Sequence, residues 1–129
     1  MYTFSFERLD VWKNAKELTK QLYSITQEFP TEERYGLVSQ LRRASVSVIS
    51  NIAEGSSRLT SKDQAHFYNT SFSSLMEILN QLIISHELGY LTKDKYYELR
   101  SLIEKISNQL NSLKISTVEN RNILGQLNS

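Results

Sequence analysis

The chain has no cysteine, one proline and four glycines among 129 residues, and each scarcity closes off a class of protein. Without cysteine there is no disulfide framework, no thiolate nucleophile and no thiolate metal ligand. So little glycine and proline cannot supply the many tight turns of an all-β chain, whereas an all-α bundle needs few connections. Charge is nearly balanced, fifteen basic against fourteen acidic side chains for a net +1. Any cationic surface must therefore be local, and a uniformly basic nucleic-acid binder is excluded. No apolar run reaches the roughly 18 residues of a membrane span, and no secretory h-region is visible. A soluble cytoplasmic protein without a membrane partner is expected.

Catalytic motifs are missing as well. Asp63 and His66 make one acid-x-x-His step, but no Glu-x-x-His occurs, and carboxylate-bridged metal bundles need two such pairs plus further carboxylates. A glycine-rich phosphate loop and a Gly-x-Ser-x-Gly elbow are also absent. His66 reads as a surface residue and His86 as a helix-end residue. The expectation is a protein that is not an enzyme, with no catalytic residue, metal, cofactor or small-molecule substrate.

What the chain does have is helical periodicity in four segments. The first is expected from about Asp10, as a cap, to Gln27, before Phe29-Pro30. Val11, Ala15, Leu18, Leu22 and Ile25 line one side of it, with Trp12 at the margin. The second is expected over 33–54, ended by Gly55-Ser56-Ser57. The third covers about 62–88, opened by the capping-box spacing of Ser61 and Gln64 and closed by Gly89. Thr92 caps the fourth, over 93–115, where Leu99, Leu102, Ile103, Ile106, Leu110 and Leu113 form a stripe. The predicted architecture is an all-α, antiparallel up-down-up-down four-helix bundle over residues 1–115. A polar, frayed tail is expected over 116–129.

The stretch between Arg43 and Glu54 carries no charge, so something other than water must cover its middle turns. Apolar residues occupy roughly half the circumference of the second helix, and the third, with Phe67, Phe72, Met76, Leu79 and Ile83, is equally broad. This surplus predicts self-association through these two helices. The second helix carries a polar seam of Gln40, Arg43, Ser47, Asn51 and Glu54 and the third one of Thr70, Ser74, Glu77 and Gln81, and the hypothesis is that the two face each other. Arg43 can then pair with Glu77 or with Glu54. A partly buried pair would fix register, and removing one partner would cost roughly 3–5 kcal/mol. The seam alternatively lines a pore or a ligand cleft. On the first helix Lys13, Lys16 and Lys20 share a face, while Arg8, Arg42, Arg58 and Lys62 lie near element ends where phosphates could be met.

Segment by segment, Phe6 through Trp12, Phe29-Pro30, Glu33 through Leu37, Gln40 through Ala44, Asn51 through Gly55, Ser74 through Glu77 and Leu88 through Leu91 together resemble the bacterial 23S rRNA-intervening-sequence proteins, once labelled S23 ribosomal proteins. The chain departs from that pattern at Ser73, where glycine is common. The resemblance implies a bundle that assembles as a ring, a homopentamer, in a family without a settled role. A related branch, similar in fold, is the strongly basic accessory protein of diversity-generating retroelements, which works with a reverse transcriptase and RNA. Together with the charge pattern, this makes structured RNA or a ribonucleoprotein the expected partner, met through Lys13, Lys16, Lys20, Arg42 and Arg58. A protein-interaction scaffold is the competing expectation.

Overall fold

A computed structural model describes residues 1–127, with side chains described as far as Glu119. Its helices are α1 (Asp10–Thr26), α2 (Leu37–Ser56), α3 (Ser61–Glu87) and α4 (Lys93–Leu127), and no strand occurs among the described residues. Cross-helix contacts run in opposite senses along successive helices. Thr19 reaches Ser45 while Thr26 reaches Arg42; Arg43 meets Glu77 while Gly55 meets Tyr68; His86 stacks on Tyr96 while Phe72 lies under Lys114. Each helix thus runs antiparallel to the one before, and Asn14 and Gln109 join α1 to α4. The core is aliphatic. Leu18, Leu22, Leu41, Ile52, Leu75, Ile78, Leu82, Leu99, Ile103, Ile106 and Leu110 are all fully enclosed, and each such burial is worth about 1.5–3 kcal/mol relative to exposure.

Several helix ends follow the expected local chemistry. Gly89 takes a left-handed φ of 83° after α3, and the Thr92 hydroxyl accepts from the Lys95 N–H at 3.2 Å. Others differ. Leu9, rather than Asp10, precedes α1: its carbonyl accepts from the Lys13 N–H, and Asp10 sits in the first turn, where its charge still suits the dipole. The chain arrives there through a 3₁₀ turn, Ser5–Arg8, anchored by the Glu7 carboxylate accepting from the Phe4 N–H at 2.8 Å. The second helix starts at Leu37, because Thr31–Glu33 form a separate 3₁₀ turn and Gly36, at φ −105° and ψ −112°, breaks the path between them. Thr60, one residue before the expected Ser61, caps α3 by accepting from the Asp63 N–H at 3.1 Å, and the Gln64 amide donates to the Arg58 carbonyl instead of closing a capping box.

Gly55 does not end α2. It is helical and buried, and a Cβ placed there would lie 2.7 Å from the Tyr68 ring and 3.0 Å from Phe67 Cβ. Its role is to let α3 approach closely. The fourth helix continues past Ile115 to Leu127, where the composition suggested a frayed tail. Thr117 is buried there, its hydroxyl donating to the Leu113 carbonyl at 2.9 Å. Ala65 and Asn69, in the first turns of α3, border a shared hollow with Ile115 and Val118. Side chains from Asn120 on, and Asn128 and Ser129 altogether, lie outside the described residues.

Most of the apolar surplus of the second and third helices is spent inside the chain. Val38, Leu41, Val48 and Ile52 of α2 and Leu75, Ile78 and Leu82 of α3 are core. Half-buried residues include a row on α3 beside α4, namely Phe72, Met76, Leu79 and Ile83, with Phe67 nearer its start and Leu37 and Ile49 on α2, while Val46 and Ile84 are exposed. The outward side of α2 shows mainly Ser39, Arg43, Val46, Ser50 and Glu54.

Candidate functional site

The candidate site is the outer side of α1. Val11, Ala15, Leu18 and Leu22 recur every three or four residues and are buried, so the opposite side of the helix must face water. Lys13, Lys16 and Lys20 are exposed there, within two turns or about 10 Å of helix at 1.5 Å per residue. Lys16 Nζ rests 5.0 Å from the centre of the Trp12 ring.

Arg42 extends the cationic surface from α2 and has a structural task as well. Its Nε–H donates to Thr26 Oγ1 at 3.0 Å and its Nη2 to the Tyr23 carbonyl at 3.2 Å, one of the last carbonyls of α1, near which Thr26 Oγ1 also lies at 3.3 Å. The guanidinium also lies 4.8 Å over the Tyr23 ring. Thr26, buried and donating its hydroxyl hydrogen to the Leu22 carbonyl at 2.6 Å, keeps its oxygen aimed at Arg42. A cation thus meets the negative end of the α1 dipole. Among the described residues none of Lys13, Lys16, Lys20 and Arg42 has a carboxylate within 4 Å.

Arg58 stands apart from this group, in the turn between α2 and α3. Its guanidinium is 3.5 Å from a Glu54 oxygen and 4.4 Å over Phe67. Its charge is therefore partly answered, and Glu54 is drawn away from Arg43.

Arg43 pairs with Glu77 at 3.1 Å, and its Nη2 also donates to Gln40 Oε1. The pair is open to solvent, 63% and 37% exposed, which corrects the expected burial. Screened in this way it is worth at most about 1 kcal/mol, well below the cost of stranding a buried charge. Register between α2 and α3 rests on hydroxyls instead. Ser71 Oγ donates to the Val48 carbonyl at 2.8 Å and Ser47 and Ser74 share a 2.8 Å bond across the seam. The Asn51 amide stays within α2, donating to the Ser47 carbonyl one turn back at 2.8 Å. The serine side chains occupy the seam between the two helices.

Tyr23 is the residue that the sequence reading missed. It is 40% exposed, and the signal was its place eleven residues after Trp12 on the same side of α1. Elsewhere, open grooves lie between α1 and α4, about 440 Å³ bordered by Asp10, Asn108, Gln109 and Ser116, and between α3 and α4, about 320 Å³ bordered by Met76, Leu79 and Glu104. No three His, Asp or Glu side chains come together as a metal site among the described residues. No described helix is long and apolar enough to cross a membrane.

Comparison with known proteins places this geometry. A protein of unknown function from the S23 ribosomal protein family of Bacteroides thetaiotaomicron VPI-5482 superposes with a TM-score of 0.75 at 18% identity, over 81% of this chain and 94% of its own. At that identity the likeness speaks for the fold. No curated protein matches the chain. The family model for the 23S rRNA-intervening sequence protein matches residues 7–112, a span that takes in the α1 lysines, the α2–α3 seam and most of α4. The chain belongs to the 23S rRNA-intervening sequence protein family.

Proposed function

We propose that the protein is a cytoplasmic, non-enzymatic homo-oligomer that associates with structured RNA or a ribonucleoprotein through the outer side of α1. The observation that carries this reading is the set of four cations, Lys13, Lys16, Lys20 and Arg42, with no carboxylate partner among the described residues. Unpaired cations spaced along one face suit successive phosphates, and their binding releases counterions. Assembly supports the reading further. The half-buried row Phe72, Met76, Leu79 and Ile83 offers apolar surface for a second copy, and the family resemblance implies a closed ring of five. Repetition around a ring multiplies a modest patch into several contacts, raising avidity without a strongly basic monomer.

The test is a salt titration of binding to structured ribosomal RNA fragments, with native mass measured on the same sample. Binding by an oligomer with a steep salt slope, lost in a K13E/K16E/K20E variant, is expected. Absence of binding at low salt overturns the reading. The α3–α4 groove with its apolar row then favours the second reading, a scaffold that docks a protein partner.

A further inference from the structure

Two aromatic rings frame the lysine stripe of α1. Trp12 and Tyr23 are eleven residues apart, about three helical turns or 16 Å, which returns the second ring to within about 20° of the first around the helix. Lys16 and Lys20 lie between them. Each ring already carries a cation, Lys16 on Trp12 and Arg42 on Tyr23. Phe6 packs edge-on against Trp12 at 5.2 Å, and in the segment just before it Tyr2 and Phe4 touch one another while remaining 76% and 59% exposed. Core packing accounts for Trp12 in part, but not for Tyr2, Phe4 or Tyr23.

We propose that this row binds unpaired, single-stranded RNA, with bases stacked on Tyr23 and on the Trp12 end and the intervening phosphates on Lys16 and Lys20. The proposal rests on the reading of α1 as the RNA-contacting side and specifies which form of RNA that side takes. A duplex has no use for the rings. In an A-form RNA duplex the bases are stacked on one another and their faces are closed to any side chain. Splayed bases in loops and bulges offer free faces, and aromatic rings beside cations are how proteins hold them. The two cations have different parts. Lys16, on a flexible stem, can leave the Trp12 face for a phosphate when a base arrives. Arg42, held by Thr26 and the Tyr23 carbonyl, stays in place and closes one side of a stacking slot.

The chain has a single tryptophan, so its fluorescence reports on Trp12 alone. The experiment titrates the full chain at low salt with an unstructured oligouridylate and with a hairpin duplex of equal phosphate count. Expected are quenching of Trp12 by the single strand, preference for it over the duplex, and about tenfold weaker single-strand binding in Y23L. The loss in Y23L should be larger for the single strand than for the duplex, and Y23F, which keeps a stacking ring, should bind the single strand as the parent does. Equal affinity for both RNAs with unchanged fluorescence, or Y23L binding the single strand as the parent does, overturns the stacking proposal while leaving a charge-based contact standing. Failure of both RNAs to bind overturns the RNA reading itself, and this proposal with it.

Discussion

Gly55 and Tyr68 show how much one hydrogen atom in place of a side chain can matter. In the last turn of α2 an alanine would gain about 1 kcal/mol of helix propensity over glycine, yet its Cβ would meet the Tyr68 ring at 2.7 Å. Tyr68 is only 3% exposed and has little room to withdraw. Overpacking of this kind typically costs about 1–3 kcal/mol, so the clash should win. Gly55→Ala is expected to lower the urea midpoint without changing the slope; a midpoint at or above that of the parent would mean that α3 can shift. The phenol of Tyr68 makes a second, independent prediction. Burial raises its pKa above the usual 10.0, so with rising pH the unfolded chain loses this proton before the folded one does. Stability from this source is complete below pH 10 and declines as pH climbs through 10 toward the folded-state value. Urea midpoints measured across that range should fall more steeply for the parent than for Tyr68→Phe, which lacks the ionisation.

Helices in this bundle are positioned by side chains that reach across to a neighbour's backbone. Arg42 does so at the end of α1, and its loss would leave the Tyr23 carbonyl and the Thr26 oxygen without their outside donor. Arg42→Ala is expected to cost about 1–2 kcal/mol in chemical denaturation. Arg42→Lys should recover only part of that, because a single ammonium cannot reproduce the planar fork. A lysine variant as stable as the parent would reduce the cap to a matter of charge. The same contrast explains what was legible in the sequence. Gly89 and Thr92 could be read because a left-handed residue and a hydroxyl cap depend on their immediate neighbours. The lysine stripe could be read because helical periodicity fixes which residues share a face. Thr60 and Ser61 offer adjacent hydroxyls, and composition alone does not choose between them. The close approach at Gly55 and the capping of α1 by Arg42 were opaque for a deeper reason: each serves a partner more than ten positions away. The continuation of α4 past Ile115 was hidden because its polar composition carries no helical stripe, and the burial of Thr117 depends on its neighbours in the fold.

For the molecule as a whole, the four seams are unequal. The α2–α3 seam is bound by serine hydroxyls reaching the opposing helix and by the close approach at Gly55. The α1–α4 seam has the Asn14–Gln109 bond at 2.9 Å and an open groove of about 440 Å³. Closing it also joins the first and last helices, the longest loop the fold must close. The bundle is built like a book, with α2 and α3 as the spine and α1 and α4 as covers. Native-state hydrogen exchange should find the covers lifting first, with amides of α1 and α4 exchanging through a smaller opening than those of α2 and α3. Uniform protection across all four helices would mean instead that the molecule opens only as a unit. A protease acting on the native state would likewise meet the covers before the spine, and RNA laid along α1 would hold one of them shut.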